Sequence, residues 1–255
     1  MSVDLNADVG EGMDDAQLLP YVTSANVACG VHAGDPTTMD QTVRLALNSG
    51  VRVGAHPGYP DRANFGRVFV EMSADEIENL IVFQVGALAG FVRSRGGRVT
   101  HVKPHGALYH SAGEFPDVAR AIAEGVRRVG DDLMLFGAAG SLLIGAAEDA
   151  GLAVAEEAFA DRRYRPDGTL MPRGEPGALL IDPDEAAEQA VNLARDGVAI
   201  AQDRTRVPVR ADTICLHGDT PGAVEIAKRI HELFRLAGIR IAPVELSRSR
   251  EAGLA

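Results

Sequence analysis

The feature that most constrains this chain is a rhythm. Seven short apolar runs, at residues 3–7, 25–29, 51–55, 99–103, 133–137, 153–158 and 213–217, alternate with stretches that carry helix signals. Each run is long enough only for a strand and is bounded by turn residues, as buried parallel strands are. Asp35 followed by Pro36 caps a helix that ends before Gly50, because proline loses nothing at a first helical position. Ser73 with Glu76 forms a capping box. The helix it opens carries Ile77, Leu80, Ile81, Val85 and Leu88 at helical spacing, and Gly96-Gly97 can end it. Asp182-Pro183 and Thr220-Pro221 open two more, the last ending near Gly238. Strands alternating with helices give parallel strands joined by crossovers, an α/β architecture.

A chain of 255 residues can supply one whole α/β barrel. Trp is absent and aromatics make up 5%, so Ala, Val, Leu and Gly must fill most of the interior. One catalytic domain over residues 1–245 is expected. Residues 162–177, rich in Arg, Pro and Gly, read as a long internal loop. Residues 246–255 read as a polar, frayed tail. A net charge of -11 argues against a nucleic-acid partner. No basic segment followed by an apolar run opens the sequence, and no stretch approaches the roughly 18 apolar residues of a membrane span. A cytoplasmic protein without a membrane partner is expected. Cys29 and Cys215 are the only cysteines, which fits a reducing compartment. Both read as small buried strand residues.

The chemistry sits where the runs end. Asn6, Asp8 and Glu11 follow the first run; Asn26, His32 and Asp35 the second; His56, Tyr59, Asp61 and Arg62 the third. Lys103, His105 and Tyr109 follow the fourth, Glu157, Asp161 and Arg162 the sixth, and His217 and Asp219 the last. Polar groups at the same end of successive strands converge in space, and in an α/β barrel that end carries the active site. A single histidine beside a strand is usually structural, and His101 and His231 fit that description. His32, His56, His105 and His217 share one topological position, which isolated structural residues do not explain. Asp8 and Glu11, on a tight bend with Gly10 and Gly12, suit general-base chemistry or a cation.

Lys103 can bind a substrate carboxylate or an oxyanion, or serve as a buried ion-pair partner. Arg62, Arg67 and Arg162 can clamp an anion through forked donors, although Arg67 reads equally well as a solvated loop residue. The turn at residues 137–141 is a weak anion motif that an ordinary strand-to-helix turn explains. No phosphate loop, dinucleotide fingerprint, nucleophile elbow or cysteine cluster is present. The chemistry therefore rests on carboxylates and imidazoles. Asp8, His32, His56 and His105 can ligate a divalent ion or form an acid–base network.

Taken together, these segments resemble the LamB/YcsF family. The matching stretches are Asp-Leu-Asn-Ala-Asp-Val-Gly-Glu at 4–11, Asn-Val-Ala-Cys-Gly-Val-His-Ala-Gly-Asp-Pro at 26–36 and Gly-Ala-His-Pro-Gly-Tyr-Pro-Asp at 54–61. They continue with Phe-Gly-Arg at 65–67, Lys-Pro-His-Gly-Ala-Leu-Tyr at 103–109, Glu-Ala-Phe-Ala-Asp-Arg at 157–162 and Cys-Leu-His-Gly-Asp at 215–219. The resemblance runs from near residue 4 to beyond residue 240. His110 stands where the family pattern has Asn. Val68 stands where a second Arg often follows Phe-Gly-Arg, which weakens a paired-arginine anion site there.

The resemblance implies an irregular (β/α) barrel similar to the glycoside hydrolase/polysaccharide deacetylase type. It implies ATP-dependent cleavage of 5-oxo-L-proline to L-glutamate, carried out with B and C partner subunits. On that reading Asp8, His56, His105 and Lys103 are the catalytic candidates. Asn6, Glu11, Asn26, His32, Tyr59, Arg62, Asp161, Arg162 and His217 are the substrate-binding candidates. Asp8 would orient or deprotonate the water, His56 and His105 would move protons, and Lys103 or Arg62 would hold the substrate carboxylate. No ATP site is identifiable in the residues, and self-association is left open. Two other readings stand beside this one: a metal-dependent carbohydrate deacetylase-like hydrolase, and a non-catalytic module that presents 5-oxoproline to its partners.

Overall fold

The structure, a computed structural model, describes residues 1–245; the expected polar tail at 246–255 lies outside the described residues. Six strands come first: β1 (Ser2–Val9), β2 (Ser24–Ala28), β3 (Arg52–His56), β4 (Val99–Val102), β5 (Met134–Ala138) and β6 (Ala153–Phe159). A separate antiparallel hairpin, β7 (Val198–Ile200) with β8 (Arg206–Pro208), precedes β9 (Thr213–His217) and β10 (Arg240–Ile241). β1 to β6 pair in order, β9 pairs with β6, and β9 pairs again with β1. Seven parallel strands thus close into a barrel, with β10 added beside β1. This is the irregular (β/α) barrel that the sequence leads one to expect.

The helices are α1 (Asp15–Leu18), α2 (Pro36–Asn48), α3 (Ala74–Ser94), α4 (Gly106–Glu114), α5 (Pro116–Val129), α6 (Leu142–Asp149), α7 (Pro183–Asp196) and α8 (Ala223–Ala237). Asp35 caps α2 by accepting from the Thr37 and Thr38 amides, each at 2.8 Å. Ser73 and Glu76 satisfy each other's backbone at the start of α3. α3 is long and apolar enough to cross a membrane by length and composition. Its Ile77, Ile81, Val85, Leu88 and Val92, however, are buried in the core.

Two features were not expected. α4 and α5 fill the segment between β4 and β5; α4 has nine residues and no side-chain cap, whereas α5 has 14 and does carry helix signals, Pro116 at its start and Arg127 and Arg128 in its last turn. The β7–β8 hairpin has strands of three residues, too short to show a period.

Along β1, alternate residues face different surroundings. Leu5, Ala7 and Val9 join the apolar cluster that includes Val43, Ile81, Leu88 and Ile226 from the surrounding helices. Asn6 turns inward and reaches three other strands. Its amide donates to Glu157 Oε1 at 2.9 Å and Thr213 Oγ1 at 2.7 Å, and its carbonyl accepts from Asn26 at 2.7 Å. Nearer the start of β1, the Asp4 carboxylate accepts from Thr213 at 2.5 Å and from Thr23 and Ser24, each at 2.7 Å. Burial pushes its pKa up. The barrel is thus filled by a hydrogen-bonded polar column, and every polar member must be satisfied for such a column to be tolerated.

His101 completes the column. Its Nε2 donates to Asn26 Oδ1 at 2.8 Å, and its ring stacks on Phe136 at 4.2 Å. Gly54 makes room for it: a Cβ there would lie 2.1 Å from His101 Nε2. His231 on α8 bonds the Tyr21 carbonyl at 2.8 Å. Both residues lie apart from the histidines at the strand ends.

Burial, with the charges of Lys103 and Arg52 nearby, lowers the His101 pKa from 6.5 to about 3. The unfolded chain therefore takes up this proton first as pH falls, so stability drops between about pH 6.5 and 3. His101→Gln keeps a donor toward Asn26 without the titration. Its unfolding free energy, measured by denaturant titration, should fall less steeply with acid over that window; parallel curves for the two proteins would contradict this.

Candidate active site

Two segments of the form X-Pro set the site. His56-Pro57 ends β3 and Lys103-Pro104 follows β4, with the Lys103 amide donating to Ala55 O at 2.9 Å and the His105 amide to Pro57 O at 2.8 Å. The proline restricts the residue before it to extended backbone, which carries the chain outward from the strand. His56 Nδ1 then donates to the Lys103 carbonyl at 2.7 Å. His105 Nε2 donates to the Phe65 carbonyl at 2.8 Å. Phe65 is held at φ 58°, in the left-handed region, beside Gly66 at φ 65°. A Cβ on Gly66 would come within 2.8 Å of the His32 side chain and 3.0 Å of His105, so only glycine fits.

A carbonyl oxygen can only accept, so these contacts fix the protons on His56 Nδ1 and His105 Nε2. The remaining nitrogens, His56 Nε2 and His105 Nδ1, face each other at 3.0 Å. Glu11 Oε1 lies 3.2 Å from His105 Nδ1 and 3.8 Å from His56 Nε2. Three lone-pair atoms converge, and only a positive charge between them, a proton or a cation, makes that arrangement stable.

His32 stacks on His105 with centroids 3.8 Å apart, and its Nε2 is 3.0 Å from Glu11 Oε1. Burial pushes the His32 pKa down to about 4, against the pull of Glu11. Burial would raise the Glu11 carboxyl, but its bonds to His105 and His32 hold it well below the usual carboxylate range.

Asp8 lies beside this group, with Oδ2 3.4 Å from His56 Nε2. Its Oδ1 accepts from Asn26 at 2.9 Å and from Lys103 Nζ at 3.0 Å. Burial opposes its charge, yet His56 and Lys103 outweigh that and keep Asp8 ionised well below the ordinary range. His56 moves the opposite way, its pKa raised by Asp8 in spite of burial. Lys103 is 2% exposed and its ammonium also meets Glu157 Oε1 at 2.9 Å and Cys215 Sγ at 3.1 Å. Its donors are taken. These contacts match the buried ion-pair partner among the sequence alternatives. Glu157, a strand-end acid to which the sequence assigns no role, anchors Lys103, Asn6 and the Tyr109 hydroxyl, the last at 2.8 Å.

On the β6–β9 side, Asp161 is fully buried and holds His217 Nδ1 at 2.9 Å, the His217 amide at 3.1 Å and the Thr220 hydroxyl at 2.5 Å. His217 and Thr220 overcome the effect of burial and lower Asp161 to about 2. With Nδ1 donating to Asp161, Nε2 is the lone-pair atom of His217. One ligand atom from each of Asp8, Cys215 and His217 falls within 4.8 Å of the others.

Arg162 is buried in the loop after β6. Arg62 donates to the carbonyls of Gly30 at 3.2 Å and Gly34 at 2.6 Å and so braces a loop. Tyr59 is fully buried with its ring 6.0 Å from Phe69. Arg67 and Arg173 both bind Asp219, at 2.5 and 3.0 Å. Arg173 sits in the long loop and carries no motif that could single it out.

Among the described residues, Glu11, His32, His56 and His105 each offer a ligand atom within 4.8 Å of the others, a cluster able to hold a divalent metal. Glu11 stands in this cluster where the sequence set has Asp8, while Asp8 lies beside it with Oδ2 3.4 Å from His56 Nε2. In a four-coordinate site with bonds of 2.0–2.1 Å, ligand atoms stand about 3.3 Å apart. The separations of 3.0, 3.2 and 3.8 Å among His56, His105 and Glu11 bracket that value. Both histidines also have the outer carbonyl acceptor that metal-bound imidazoles use. His32 Nδ1 has no such partner, so His32 fits better as a donor to Glu11 than as a ligand.

The model of the LamB/YcsF family matches residues 3–249. A Methylococcus capsulatus protein named as the A component of 5-oxoprolinase is 52% identical over 247 residues, covering 94% of this chain and 95% of the relative. The crystal structure of a lactam utilization protein from Thermus thermophilus superposes with a TM-score of 0.90 at 42% identity, covering 95% of this chain and 99% of the other. A polysaccharide deacetylase from Bacillus cereus shares the fold alone, with a TM-score of 0.54 at 14% identity over 98% of this chain and 95% of the other. The chain belongs to the LamB/YcsF family.

Proposed function

We propose that this chain opens the lactam ring of 5-oxo-L-proline to give L-glutamate, as the A component of an ATP-consuming assembly with B and C subunits in the cytoplasm. Its kinship with a 5-oxoprolinase component and with a lactam utilization protein supports the substrate. The observation that carries the chemistry is the convergence of His56 Nε2, His105 Nδ1 and the Asp8 and Glu11 carboxylates at one buried point.

A five-membered lactam is little strained and resonance-stabilised, so neutral water attacks it slowly. Asp8, held ionised by Lys103, orients the attacking water. The His56–His105 pair takes the proton, because its facing nitrogens are already arranged to hold one. His217, aligned by Asp161 through Nδ1, takes up a proton on its lone-pair Nε2 and passes it to the departing lactam nitrogen. ATP coupling supplies the driving force for activating the amide. The chain has no phosphate-loop motif, and nucleotide is bound either elsewhere on this chain or by the partner subunits. A divalent ion held by Glu11, His56 and His105 would take the place of the proton between the two rings, polarise the lactam carbonyl and acidify water, and Asp8 would then accept the proton from the water. The deacetylase reading has only a shared fold behind it.

Asp8→Asn should lower turnover to glutamate by the reconstituted three-component assembly by about 10²–10⁴-fold. The variant should stay folded, since Lys103 retains Glu157. Near-normal turnover would sink the assignment and favour a module that only presents substrate. For the metal, elemental analysis of the purified chain should find close to one equivalent of a divalent ion, lost in both Glu11→Gln and His105→Ala. A metal-free chain that supports full turnover would remove the ion from the mechanism.

A further inference from the structure

Lys103 is held by Asp8, Glu157 and Cys215, and Arg62 braces the loop at Gly30 and Gly34, which leaves room for a further cation at the substrate carboxylate. Arg162 is 3% exposed. Its Nη2 donates to the Met171 carbonyl at 2.5 Å, and its Nε has no partner among the described residues. A buried guanidinium N–H without an acceptor is costly unless a ligand supplies one.

The carboxylates nearby are already engaged. Asp161 holds His217 and Thr220, and Asp219 is shared by Arg67 and Arg173. Arg162 directly follows Asp161, which holds His217, and Arg173 binds Asp219, two residues after His217, so both arginines are tied to the same strand end. Burial and the like charge of Arg173 lower Arg162 to about 10, which still leaves it cationic at neutral pH. Asp219, bonded to Arg173, raises that arginine's pKa against the effect of burial.

The loop that carries both arginines is built in advance. The Met171 amide donates to Arg163 O and the Arg163 amide to Ala178 O, each at 2.9 Å. Gln189 Nε2 pins the base of the loop through the carbonyls of Phe159 and Arg162, each at 2.8 Å. A site held this way orders few groups on binding.

We propose that Arg162 and Arg173 form the subsite for the carboxylate of the lactam acid, with the free Nε of Arg162 donating to one of its oxygens. This subsite rests on the 5-oxoproline reading. It makes the two arginines determinants of specificity for an acidic lactam over a neutral one.

The test is isothermal titration calorimetry on the full chain, alone and mixed with the B and C subunits. The titrants are 5-oxo-L-proline, its neutral carboxamide and inorganic phosphate. The wild type should bind the acid roughly tenfold or more tighter than the amide. Arg173→Gln should bring the acid down to the level of the amide and leave the amide unchanged. Arg162→Lys, which keeps the charge and loses the forked donors, should do the same. Thermal unfolding establishes that each variant is folded.

Acid affinity unchanged in both folded variants would overturn the proposal, as would equal wild-type affinity for acid and amide. Phosphate that displaces 5-oxoproline and loses affinity in parallel in both variants would reassign the subsite to a phosphoryl group. Binding of neither lactam, alone or with the partners present, would remove the 5-oxoproline reading itself and the subsite with it.

Discussion

Two backbone carbonyls govern this site. The Lys103 carbonyl takes the proton of His56 Nδ1, and the Phe65 carbonyl takes that of His105 Nε2. Neither ring can turn without losing its bond, so two bare nitrogens are forced to face each other at 3.0 Å. Everything around them answers that constraint. Glu11 and Asp8 bring negative charge to a point that must hold a positive one. His32 stacks on His105 and steadies Glu11. The left-handed turn at Phe65, with Gly66 too crowded for a side chain, aims the carbonyl. Backbone in that region is held only where its surroundings compel it, which is common at functional sites.

The column of polar side chains beneath the site makes this geometry rigid. Lys103 is buried yet fully charged, because Asp8 and Glu157 compensate the lost hydration. Glu157 also binds Asn6 and Tyr109, and Asn6 binds Thr213 and Asn26. Strands β1, β2, β6 and β9 are thereby tied together from the inside, in addition to their ladder bonds. A network of this kind tolerates few substitutions, since any unsatisfied member sits in a low-dielectric interior.

Much of this is legible in the sequence, for identifiable reasons. The barrel strands show as apolar runs with polar ends, and α2, α3 and α7 show through caps at Asp35, Ser73 and Asp182. Gathering of Asp8, His56, His105 and His217 at one end follows from parallel strands alone. What sequence spacing does not carry is which lone pair meets which donor. Lys103 is therefore ambiguous until Asp8 and Glu157 are seen on its ammonium. Arg62 looks like an anion clamp until its bonds to Gly30 and Gly34 appear. That Glu11 joins His32, His56 and His105 is likewise seen only in the folded chain. Arg173 has no signal at all, because irregular loops bring residues together without a period.

The site stands or falls on two protons: His56 carries its proton on Nδ1 and His105 on Nε2, leaving the inner nitrogens for a shared proton or cation. Long-range ¹H–¹⁵N correlation NMR on the metal-stripped chain reads the protonation of each ring nitrogen directly. A protonated Nδ1 on His56 and a protonated Nε2 on His105 are expected. A bare Nδ1 on His56, or a bare Nε2 on His105, would contradict this arrangement.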